Sequence, residues 1–153
     1  MMRDKNLRIL LVEDDEVDIM AVKRAFQKNN ITNPLDIARN GVEALAMLRG
    51  DNVPLPSIAL LDINMPKMNG IELLREIRND QSLKTIPVIV LTTSDEERDI
   101  IDAYNYNVAG YIVKPLSLPK FVEAISVLDL YWTLSELPAN KVKQSSIRKD
   151  LHE

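Results

Sequence analysis

Four apolar residues, Ile58-Ala59-Leu60-Leu61, run without a break and stop at Asp62. So short and uniformly apolar a run reads as a strand buried on both faces. The carboxylate at its mouth needs a reason, because an unpartnered buried charge is costly. In open α/β sheets ligands gather outside the carboxyl ends of the strands, and a chemical role would supply the reason. The other reading is that Asp62 caps a turn, a common use of aspartate. What the other strand ends carry decides between them.

The rest of the chain alternates. Leu7–Val12 is a short apolar strand that runs into Glu13-Asp14-Asp15-Glu16. Asp18–Asn29 follows with Ile19, Val22, Ala25 and Phe26 at helical spacing. Asn33-Pro34 marks a turn, and Leu35–Ala38 a second strand. Asn40-Gly41 opens another turn, and Val42, Leu45, Ala46 and Leu48 mark a helix that ends near Gly50. A loop with Pro54 and Pro56 leads to the strand that ends at Asp62, and Gly70 precedes a third helix with Ile71, Leu74 and Ile77 on one face. Ile86–Leu91 is a fourth strand, ending at Thr92-Thr93-Ser94. Asp95–Tyr104 reads as a fourth helix capped by Ser94 or Asp95. Val108–Val113 is a fifth strand, ending at Lys114-Pro115, and Leu118 opens a long last helix stopped by Pro138.

Five strands alternating with five helices predict an α/β fold around a parallel sheet. Right-handed crossovers bring the carboxyl ends of all strands to one edge. That edge would hold Glu13 and Asp14 from the first strand, Asp62 from the third, Thr92 from the fourth and Lys114 from the fifth. Each has a local explanation of its own, as cap, turn residue or solvated charge. Their coincidence at matching positions favours one site.

Composition narrows what the site can be. A chain of 153 residues is expected to form one domain, here residues 1–137, followed by a polar tail over 138–153. The net charge of −4 argues against a nucleic-acid partner. The chain has no cysteine, so neither disulfides nor a thiolate metal site can form. No apolar run reaches the length of a membrane span, and Met1–Arg8 is too polar for a signal peptide, so a cytoplasmic location is expected. Clustered carboxylates need a cation, and all-oxygen ligands suit Mg²⁺ and disfavour zinc. Asp62 could then be both metal ligand and nucleophile, attacking phosphorus to give an aspartyl-phosphate. Mg²⁺, Lys114 and the Thr92 hydroxyl could each stabilise an oxygen of the transferred group. No Gly-rich nucleotide-binding loop is present, so the donor must come from elsewhere. The sole histidine, His152, lies in the tail and reads as a bystander.

Glu13-Asp14, Leu61-Asp62-Ile63-Asn64-Met65-Pro66, Thr92 and Tyr111-Ile112-Val113-Lys114-Pro115, at these spacings, together resemble the receiver domain of two-component response regulators. The resemblance covers roughly residues 7 to 134. It implies the flavodoxin-like, doubly wound sheet with strand order 2-1-3-4-5, flanked by five helices. It implies that Asp62 accepts a phosphoryl group from a phosphohistidine on a sensor histidine kinase. Asp14 would bind Mg²⁺, Glu13 orient its waters, and the Asn64 carbonyl add a ligand. Thr92 and Tyr111 would be the switch pair, Lys114 would pair with the phosphoryl group, and Lys114-Pro115 would be cis. Asp15 is an additional acid, read as a helix-starting charge. Leu91-Thr92-Thr93-Ser94 and Tyr131-Trp132 resemble stand-alone regulators that pair with phytochrome-type kinases of bacteria and signal through protein contacts rather than DNA. No output domain is expected after the fifth helix.

Two other classes fit the fold less well. A phosphatase with an aspartyl nucleophile resembles Asp-x-Asp, and here the second place is Asn64, which cannot exchange a proton usefully. A nucleotide- or flavin-binding module needs N–H groups for phosphate after the first strand, where this chain has Glu13-Asp14-Asp15-Glu16. In the last helix, Phe121, Ile125, Leu128 and Trp132 share a face assigned to the core. Val127, Leu130 and Leu134 lie near the opposite face. They are either scattered exposed apolar residues or a partner surface, and the resemblance favours a symmetric homodimer.

Overall fold

The computed structural model describes residues 7–51, 54–65 and 67–126. The strands are β1 (Ile9–Val12), β2 (Leu35–Ala38), β3 (Ile58–Leu61), β4 (Val88–Thr92) and β5 (Gly110–Val113). The helices are α1 (Glu16–Lys28), α2 (Gly41–Leu48), α3 (Gly70–Asn79), α4 (Glu97–Asn105) and α5 (Leu118–Ser126). They form one parallel sheet in the order β2-β1-β3-β4-β5, the expected doubly wound arrangement.

Alternation along the strands divides the core between the two faces. Leu10, Val12 and Leu61 pack with Leu45, Leu48, Leu73, Leu74 and Ile77, beneath α2 and α3. Ile9, Leu11 and Leu60 pack with Ile19, Val22, Phe26 and Phe121, beneath α1 and α5. The rings of Phe26 and Phe121 lie 5.8 Å apart and join those two helices over β1 and β3.

Element ends depart from the sequence reading where hydrogen bonding overrides hydropathy. β4 begins at Val88 rather than Ile86: Pro87 has no N–H to give a ladder, and the Ile86 N–H closes a turn onto the Leu83 carbonyl. β5 begins at Gly110, after a turn in which Asn107 takes a φ of 59°. α1 starts at Glu16, two residues early, because the Asp15 carboxylate caps it by accepting from the amides of Val17 and Asp18. The cap expected for α4 is absent. Glu96 is its N-cap residue and makes no side-chain cap bond, while the Ser94 hydroxyl lies further upstream and donates to Asp99. The proposed self-association residues Val127, Leu130 and Leu134, with Tyr131, Trp132, the boundary at 137, the tail and His152, lie outside the described residues.

Candidate functional site

The sheet ladder continues past the carboxyl ends of the strands and fixes the backbone of three site residues. The Glu13 amide donates to Ala38, the Asp62 amide to Val12 and the Lys114 amide to Thr92, at 3.0, 3.0 and 2.7 Å. Glu13, Asp62 and Lys114 are thereby held in register at one edge, as the alternation of elements requires.

The loop behind Asp62 is tightly folded. The Asp62 Oδ1 accepts from the Asn64 amide at 3.1 Å, and the Gly70 amide donates to the Ile63 carbonyl. A Cβ at Gly70 would lie 2.5 Å from the Ile63 Cα and 2.6 Å from the Asp62 carbonyl oxygen. Only glycine lets α3 begin this close to the acid-bearing chain. Asn69 and Glu72 cap that helix reciprocally. Just before the cap, Lys67 and Met68 both take a φ of 54°. Such left-handed conformations cost roughly 1–2 kcal/mol per residue.

Carboxylate oxygens of Glu13, Asp14 and Asp62 all lie within 4.8 Å of one another. Glu13 and Asp62 are buried, while Asp14 is exposed and opens the group to solvent. Three hard oxygen donors converging from two adjacent strands fit a divalent cation of the Mg²⁺ type. Asn64 is exposed beside them. Lys114 reaches in from β5, its Nζ 2.6 Å from Glu13 and 3.2 Å from Asp62. The same ammonium donates to Asp18 at 2.7 Å. Asp18 was missed as a site residue. In the sequence it is only another acid in the first turn of a helix, where the helix dipole already explains one.

Burial pushes the Glu13 carboxyl up to about 7, against the opposing pull of its bonds to Lys114 and the Asp15 amide. For Lys114, burial favours the neutral amine, but the Asp18 and Glu13 hydrogen bonds and the Asp62 charge outweigh it. The ammonium is therefore held above the ordinary lysine range. The Lys114-Pro115 peptide is cis, as the motif implies.

Thr92 and Tyr111 meet indirectly at Ser94. The buried Thr92 Oγ1 accepts from the Ser94 amide at 3.3 Å, and the Tyr111 hydroxyl donates to the Ser94 carbonyl at 2.9 Å. Burial, followed by the nearby Asp99, Asp62 and Asp95 charges, raises the Tyr111 phenol despite that bond.

Residues 9–126 match the model of the response regulator receiver domain. The chain belongs to that family. Receiver domains are signalling proteins that accept a phosphoryl group on an aspartate and bind Mg²⁺ or Mn²⁺ in an acidic pocket. This receiver is 41% identical over 137 residues to the probable methanogenesis regulatory protein FilR2 of Methanothrix harundinacea, covering 86% of this chain and 88% of that one. It is 38% identical over 128 residues to the response regulator Rcp1 of Synechocystis, covering 81% of this chain and 87% of Rcp1. The Mn²⁺-bound structure of Rcp1 superposes with a TM-score of 0.68, covering 86% of this chain and 98% of that one. The bacteriophytochrome response regulator AtBRR superposes with a TM-score of 0.74 at 34% identity, covering 86% of this chain and 96% of that one. Among the described residues no helix is long and apolar enough to cross a membrane.

Proposed function

We propose that Asp62 is the phosphoacceptor and that it is loaded from a phosphohistidine of a sensor histidine kinase of the bacteriophytochrome type. The observation that carries the acceptor assignment is a buried aspartate at the end of β3 that shares one small volume with two further acids and a lysine. The kinase type rests on the likeness to AtBRR.

An Asp62 carboxylate oxygen attacks phosphorus in line with the departing imidazole. The O–P bond forms as the N–P bond breaks, and its electron pair leaves with the imidazole nitrogen. Lys114 neutralises one phosphoryl oxygen and the Thr92 hydroxyl donates to another. Glu13, Asp14, Asp62 and the Asn64 carbonyl would hold a Mg²⁺, which would supply the remaining charge neutralisation. Once Thr92 turns to the phosphoryl group, the Ser94 amide loses its acceptor, and Tyr111 is bonded to the same residue. That shared residue links chemistry at Asp62 to the surface of α4 and β5. We read residues 1–137 as one cytoplasmic receiver that signals through protein contacts. The apolar pattern of Val127, Leu130 and Leu134 supports a homodimer through the last helix. Asn64 argues against turnover of free phosphoesters.

Incubation with acetyl phosphate and Mg²⁺ is expected to add one phosphoryl group by intact mass, and a chelator to suppress it. Persistence of the adduct in Asp62→Ala would show that the acceptor lies elsewhere.

A further inference from the structure

Lys114 is shared among three carboxylates, and only two of them belong to the metal-binding group. Asp18, on the first turn of α1, is the third, at 2.7 Å. The Lys114 side chain is 10% exposed, and of its three partners Asp18, at 32%, is far more exposed than Glu13 and Asp62, at 2% and 6%. A small cavity of about 30 Å³ lies alongside, lined by Asp18, Ala21, Val22, Leu91, Lys114 and Leu116.

An ammonium has three N–H groups to place. A divalent cation among Glu13, Asp14 and Asp62 draws Glu13 and Asp62 towards itself and repels the ammonium. A lysine buried this deeply cannot give up both partners to water. It must either stay and compete with the cation or move to an acceptor the cation does not claim. Asp18 is that acceptor, and the cavity beside it leaves the lysine stem room to shift.

We infer that Asp18 is a positioning residue that retains the Lys114 ammonium when a divalent cation occupies the acids, and thereby sets both metal affinity and the readiness of Lys114 for the phosphoryl group. This rests on the metal and phosphoryl roles proposed above. Asp18 acts through Lys114 and touches neither metal nor phosphorus.

The test is Mn²⁺ affinity, read from the paramagnetic resonance signal of free Mn²⁺ in titrations of the full chain. Asp18→Asn is expected to weaken binding about tenfold, as loss of a group that orients a metal site commonly does. Asp18→Glu, which keeps the charge, is expected to recover most of it. In a Lys114→Met background, Asp18→Asn should change affinity less than about twofold, because the competing ammonium is gone. Glu16→Gln removes an equal charge from the same helix turn without touching Lys114 and should leave affinity unchanged. Thermal melts establish that each variant is folded, and Asp18→Ala replaces Asp18→Asn if that variant is not. Unaltered affinity in the folded Asp18 variant overturns the inference. So does an equal loss in the Lys114→Met background or in Glu16→Gln, which would reduce Asp18 to a general charge effect. Failure of the unsubstituted chain to bind Mn²⁺ would instead overturn the metal site itself.

Discussion

Two partly buried cations sit at opposite edges of the sheet, and their partners differ in kind. Lys114, at the carboxyl edge, is held by the carboxylates of Glu13, Asp18 and Asp62. Arg78, near the end of α3, is held by the neutral carbonyls of Tyr106, Lys84, Ile86 and Asn107, at 2.7, 2.9, 2.8 and 3.2 Å. Those carbonyls belong to the segments that lead into β4 and β5, so one guanidinium fastens two connections at the amino edge. Burial lowers the Arg78 value, whereas the carboxylates raise that of Lys114. A cation held by fixed dipoles can only stay or leave. A cation held by charged carboxylates can be exchanged for another cation. One edge is therefore suited to clamping and the other to chemistry.

The largest effect is expected from removing the exchangeable cation. Lys114→Met leaves Glu13 and Asp62 buried with no counter-charge, at a cost of about 3 kcal/mol in metal-free buffer. Millimolar Mg²⁺ should restore most of it, since a dication can take the place of the ammonium. Calorimetric melts with and without Mg²⁺ check this, and a loss that Mg²⁺ does not repair would erase the distinction between the two edges.

Arg78→Ala should cost somewhat less, about 2 kcal/mol, because its orphaned carbonyls are only partly buried and water can reach some of them. In a chain of this size that lowers the melting temperature by roughly 4–8 °C. Mg²⁺ should not restore the loss, and acetyl phosphate should still label Asp62 well below the melt. Labelling that collapses in the folded variant would mean the clamp also shapes the site.

A third effect is on pH dependence. Glu13 is raised from 4.5 to about 7 in the folded protein, so its ionisation works against folding. Its contribution to stability is fully present below 4.5 and is lost as pH rises through about 7. Metal-free protein should therefore lose stability between those values, and Glu13→Gln should flatten that part of the curve. Because a metal needs the carboxylate ionised, apparent Mg²⁺ affinity should fall up to about tenfold per pH unit below neutrality. Melts and metal titrations across this range test both. At the amino edge Arg78 stays charged throughout this range, and its contribution should not vary.

The sequence carried the strands because a strand buried on both faces must be apolar throughout, and the polar residues closing the runs marked where each ended. Parallel pairing then followed from the intervening helices, and with it the gathering of Glu13, Asp14, Asp62, Thr92 and Lys114 at one edge. Local chemistry was less legible: Asn40, read only as opening a turn, caps α2, and Asn69, which was not singled out, caps α3. The Ser94 cap failed because α4 begins only at Glu97: the Ser94 hydroxyl accepts from the Glu96 amide, one residue ahead of the helix, while it donates to Asp99. The start of β4 was misjudged because Ile86 is as apolar as the strand it precedes. The roles of Asp18 and Arg78 were decided by the tertiary structure alone. Asp18 meets a lysine 96 positions away, and the Arg78 guanidinium bonds carbonyls up to 29 positions away. Whether a charge on a helix faces water or a buried counter-charge depends on how that helix is laid on the sheet. Periodicity sets only the apolar face of a helix; long-range packing chooses the partner for each charge at its margin.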